Sequence, residues 1–94
     1  MEPLRQQVIA TQRRIEDMLD KPNDSAAARL KSEIKGLEDD MQAGKNPITV
    51  EDRVKRIIHL LEGSAKANRI MNYEHLDMFK HWFEGVRESL RRMS

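Results

Sequence analysis

Wherever the apolar residues of this chain cluster, they recur at alternating steps of three and four, and that rhythm predicts helix throughout. It is longest between Tyr73 and Met93, where Leu76, Phe79, Phe83, Val86, Leu90 and Met93 form one continuous stripe. A second row, His75, Met78, Trp82, Gly85 and Ser89, lies about 100° round the helix from the first. It is large toward its middle and small toward its C-terminal end. Two adjoining stripes imply more than one neighbour, so this segment is expected to be the central helix of the fold. Gly85 inside it costs roughly 1 kcal/mol relative to alanine, and a close approach by another helix beside Trp82 is the expected compensation.

The same rhythm divides the rest of the chain. Pro3 is a favourable first helical residue, and Leu4, Val8, Ile15 and Met18 keep step if Thr11 fills the missing place, which predicts a helix over 3–20. Pro22 disfavours helix just before it, and Asp24 or Ser25 can cap a new helix after it. This second helix, 25–43, carries Ala27, Leu30, Ile34, Leu37 and Met41. Two helices of matched length and a short connection predict an antiparallel hairpin. Gly44 to Pro47 then reads as a glycine stop followed by proline. Thr49 is expected to cap a third helix, 50–62, burying Val50, Val54, Ile57, Ile58 and Leu61 and leaving Glu51, Asp52, Lys55, Arg56 and Glu62 outside. Gly63 is expected to end it and Ser64 to cap a short fourth helix, 65–71. Asn72 is the expected cap of the last helix, 73–92. The expectation is therefore an all-α single domain over 1–94, a bundle of five helices opening with an N-terminal hairpin.

Composition narrows what such a bundle can do. The 94 residues include no cysteine, which removes disulfides, thiolate metal sites and cysteine nucleophiles. Charged residues are 35% of the chain yet nearly cancel, at +1, so no strong field draws in a polyanion. No apolar run approaches the roughly 18 residues of a membrane span. The start Met1-Glu2-Pro3-Leu4 has neither a basic region nor an apolar core, so a soluble chain that is not secreted is expected.

Chemistry is sparse. His75 and His81 lie on different faces and His59 on another helix, so no metal is expected; Asp77 with His81 has only the spacing of an ordinary exposed pair. The serines read as caps, packing residues or solvated positions, with no base placed beside a nucleophile. Gly44-Lys45 lacks the rest of a phosphate loop. These absences predict a non-enzymatic protein without cofactor. Two basic clusters, Arg53 with Arg56 and Arg87 with Arg91 and Arg92, offer an alternative as a small helical nucleic-acid-binding or regulatory protein. They are diluted by Glu51, Asp52, Glu62, Glu84 and Glu88, where a phosphate footprint is usually purer. Self-association through the double stripe is a third course, with a monomer favoured.

The run His75-Leu76-Asp77, then Trp82-Phe83-Glu84-Gly85-Val86-Arg87, resembles the last helix of a small domain shared by the steroid receptor RNA activator protein and the C-terminal end of the large outer-coat subunit of coat protein complex II, the Sec-thirty-one type. In that family a Trp is followed two residues later by Gly-Val and a basic residue, as Trp82, Gly85, Val86 and Arg87 are here. His75 and Asp77 are closer to the coat-subunit form; Glu84, Glu88 and Ser89 depart from the pattern. The resemblance implies a protein-interaction or scaffold domain whose partners are coat or coregulator proteins, with no insertion into a membrane. In the coat case it implies a cytoplasmic protein at endoplasmic-reticulum exit sites, serving transport to the Golgi; in the coregulator case it implies transcriptional work in the nucleus.

Overall fold

The structure, a computed structural model, describes residues 2–67 and 70–93. Four helices account for most of them: α1 (Glu2–Met18), α2 (Ser25–Gln42), α3 (Pro47–Lys66) and α4 (Tyr73–Met93). Side-chain caps set three of their starts. Asp24 accepts from the Ala26 amide at 2.8 Å, Asn46 from Ile48 at 2.9 Å and Asn72 from Glu74 at 2.7 Å, each satisfying an amide the first turn leaves unpaired.

Cross-bundle ion pairs give the relative directions of α2, α3 and α4. Arg53 reaches Asp40 and Arg56 reaches Glu33, so α2 and α3 run antiparallel. Glu51 meets Arg91 while Glu62 meets Lys80, which sets α4 against α3 in the same way. At the far end the Asp20 amide donates to the Ile70 carbonyl at 2.7 Å, joining the connection after α1 to the one after α3. The result is an up-down bundle measuring 34 × 18 × 18 Å.

The apolar stripes meet along its axis. Val8, Ile15, Leu30, Ile34, Leu37, Val54, Ile57, Phe83 and Leu90 are buried completely, and Thr11 takes the place in the α1 stripe that its spacing assigns.

Three sequence expectations change. The first concerns the count, four helices among the described residues and not five. Gly63 does not stop α3, which runs on to Lys66. Gly63 has no positive φ, and with Leu61 and Ser64 both buried the inward face continues past a glycine whose cost is only about 1 kcal/mol. Ser64 is therefore a core-side residue, not a cap. Ile70 and Met71 are buried, as their apolar character predicts, but in a non-helical connection. Asn68 and Arg69, inside the short helix expected at 65–71, lie outside the described residues. The start of α3 also shifts, because Pro47 fits the first helical position and Asn46 precedes it as the cap in place of Thr49.

The second change concerns which helix is central. α3 packs against both α2 and α4, whereas α4 leans mainly on α3 and touches α1 lightly. The third is Gly85, which is exposed; apart from its chain neighbours and the local helix backbone, no described atom lies within 4 Å of where a Cβ would stand. No other helix among the described residues comes that close to it. Met93, at the end of the α4 stripe, is likewise 48% exposed. No helix among the described residues is long and apolar enough to cross a membrane.

Candidate interaction surface

The basic residues of the first cluster are held between α2 and α3. Arg53 donates from Nε to Asp40 Oδ2 at 2.7 Å and from Nη1 to Glu33 Oε2 at 3.1 Å, while Arg56 Nε donates to the same Glu33 oxygen at 3.3 Å. Lys45 approaches the other oxygen of Asp40 at 3.0 Å. Burial alone would push the Asp40 carboxyl up, but hydrogen bonds from Arg53 and Lys45 outweigh it and hold the group below its ordinary range. The Asp40 bond in turn holds the Arg53 guanidinium in its charged form against desolvation.

This clamp lies over Gly36. A Cβ built there would collide with the Arg53 guanidinium, standing 2.6 Å from Cζ. The close approach expected at Gly85 thus occurs on another helix, and between a glycine and an arginine. A glycine in the interior of α2 without a turn beside it was the available signal; its partner lies in a different helix and no local pattern names it.

The second cluster is tied to α3. Glu51, on the face expected to be solvated, has a side chain only 12% exposed and accepts from Arg87 Nε at 3.0 Å and Arg91 Nε at 2.7 Å. The Arg87 hydrogen bond does most to lower the Glu51 pKa, with Arg91 adding to it against some desolvation. Arg92 lies 3.8 Å from Glu88 on its own helix.

The residues of the α4 motif divide between interior and surface. Val86 is in the core and Arg87 in the bridge to Glu51. Trp82 is half-buried, packed on the core and edge-on to Phe83, with ring centroids 5.0 Å apart and planes at 84°. His75 is half-buried. Asp77 lies 3.4 Å from His81 Nε2, the i,i+4 pair its spacing predicts. Asp77 also borders a cleft of about 380 Å³ between α3 and α4, floored by Leu61 and Leu76 and rimmed by Glu62, Lys80 and the 55%-exposed ring of Tyr73. Its rim carries both signs of charge and selects no ligand class.

The second row of α4 is only partly covered, with His75, Trp82 and Ser89 half-buried. Met78 is 39% exposed, Gly85 faces open space, and Ser89 turns its hydroxyl back to donate to the Gly85 carbonyl at 3.1 Å. On the α1 side, the Arg14 guanidinium stands 5.9 Å from the Phe79 ring centroid, within the reach of a cation–π contact. No protein-family model, curated protein or solved structure matches this chain.

Proposed function

We propose that this chain is a non-enzymatic protein-interaction domain that presents the second row of α4 to other proteins. The observation that carries the reading is how charge and apolar surface are distributed. Arg53, Arg56, Arg87 and Arg91 are engaged by carboxylates across the bundle, which leaves the basic clusters poorly disposed toward phosphates. Met78 and Gly85 meanwhile are exposed on either side of the half-buried Trp82, an apolar strip only partly covered by the bundle. Partially exposed aromatic and methionine side chains are the residue types enriched at protein interfaces. The resemblance of Trp82, Gly85, Val86 and Arg87 to the coat-subunit and receptor-activator motif supplies the partner class: coat or coregulator proteins, met in the cytoplasm or nucleus.

The test is capture of purified coat and coregulator components on immobilised protein, comparing wild type with Met78→Glu and Gly85→Glu, which place charge on exposed positions. The reading expects a component retained by wild type and released by both variants. Retention of nucleic acid that weakens steeply with salt, and is lost on Arg56→Glu with Arg92→Glu, would replace it with the basic-cluster reading.

A further inference from the structure

We infer that α4 pairs with the α4 of a second copy of this chain, antiparallel and across a two-fold axis that passes between Trp82 and Gly85. This rests on the reading of the α4 row as an interaction surface and names its partner.

The row itself carries the inference. The four members after His75, namely Met78, Trp82, Gly85 and Ser89, follow one another at steps of four, three and four, a spacing that reads the same in both directions. A row with that property superimposes on itself when the helix is reversed, as an isologous interface requires: if residue i meets residue j, then j meets i. Reversal sets Trp82 opposite Gly85 and Met78 opposite Ser89. Large side chains then face small ones in both of these pairs, so each indole enters the notch that the partner's glycine leaves open. The notch is real in the isolated bundle, since nothing lies within 4 Å of a Cβ at Gly85. A glycine that costs helix stability and meets no other helix among the described residues is accounted for by a backbone approaching from outside.

Charge agrees with the same register. Glu74 and Arg92 are five full turns apart and so share one flank of the row. Reversal about the same axis sets Arg92 of each copy at the level of the other's His75, one residue from Glu74 and within reach of its carboxylate, twice per dimer. Arg92 is 78% exposed and only loosely drawn to Glu88 at 3.8 Å, so it can turn to the partner. A parallel pairing would instead stack Trp82 on Trp82 and Arg92 on Arg92. One helix pair is a small contact by the standard of stable interfaces, and the dimer forms at micromolar concentration or above. The monomer that the sequence favours is its dilute state.

Sedimentation equilibrium of the full chain across micromolar to millimolar concentration tests this, with thermal unfolding of each variant at low concentration as the folding control. Wild type is expected to dimerise. Gly85→Leu fills the notch at a site open in the monomer, so it is expected to abolish the dimer with no loss of thermal stability. Glu74→Arg and Arg92→Glu should each weaken association about tenfold, since each reversal acts at two contacts, and the two combined in one chain should restore it. A chain that stays monomeric throughout overturns the inference, as does a dimer indifferent to Gly85→Leu or a charge pair that fails to rescue. If the chain is monomeric while Met78→Glu and Gly85→Glu still release a captured protein, pairing falls and the interaction reading stands.

Discussion

Alanine placed at two helix-interior glycines should move stability in opposite directions. At Gly85 the new methyl group enters open space, and α4 gains the difference in helix propensity, about 1 kcal/mol, partly by restricting the unfolded chain. For a domain of this size that is a rise in Tm of roughly 4–8 °C. At Gly36 the same gain is set against the Arg53 guanidinium, the end of a long side chain that must shift over the helix to admit a methyl group. Arg53 then loses its 2.7 Å contact with Asp40, whose side chain is 8% exposed. A hydrogen bond to a charged group contributes about 1.5–3 kcal/mol, so Gly36→Ala should be destabilising by about 1 kcal/mol net, leaving a gap of about 2 kcal/mol between the two variants.

Urea unfolding followed by far-UV circular dichroism at low micromolar protein measures both, with unchanged m-values as the condition for comparison. Repeating Gly36→Ala in an Arg53→Ala background isolates the coupling: without the guanidinium, alanine at 36 should become stabilising. Equal stabilisation at both positions in the wild-type background would show that Arg53 is not held over Gly36. Destabilisation at Gly85 would show a packed neighbour there.

Three further outcomes are expected. Gly63→Ala should stabilise by about 1 kcal/mol because α3 is continuous there, whereas Gly44→Ala should destabilise because Gly44 has φ +70°, a conformation that alanine adopts poorly; thermal melts of the pair check this, and a loss at Gly63 would mean the helix ends there. Phe83→Ala should cost about 3–5 kcal/mol, since a fully buried ring leaves a cavity, and an effect below about 1 kcal/mol would refute its place in the core. Asp40→Asn should lower stability at neutral pH. Because the native carboxyl titrates below its ordinary 3.8, its stabilisation is present above that value and fades as the pH falls through the depressed native one. The difference between wild type and Asp40→Asn in urea midpoint should therefore close on acidification below 3.8, and a difference independent of pH would remove the Arg53–Asp40 pair from the account.

Much of the helix framework was legible because it is written in local terms. The stripes through Leu30, Ile34 and Leu37 or through Phe79, Phe83 and Leu90 need only a 3.6-residue period to be seen. The breaks at Pro22 and at Gly44 to Pro47 rest on single-residue geometry. Gly63 was misleading because a lone glycine is a weak stop when the buried face continues through Ser64. Ile70 and Met71 show the reverse case, apolar residues buried by the tertiary fold without a helix to carry them. The surface was less legible. Glu51 looks solvated from its position in α3, and only the arrival of Arg87 and Arg91 from another helix covers it. Gly36 and Gly85 have similar sequence surroundings, each a glycine amid charged and apolar helix formers, yet one lies under an arginine and the other in the open. That difference is a long-range property, absent from any window of the chain.

The half-buried Trp82 is the sole tryptophan, so its fluorescence reports directly on the surface at the centre of this account. As protein concentration rises through the micromolar range, emission should shift to the blue and acrylamide quenching should fall, as each indole moves into its partner's glycine notch, and Gly85→Leu should show neither change. Emission and quenching that stay constant with concentration in the wild type, or that change equally in Gly85→Leu, would contradict it.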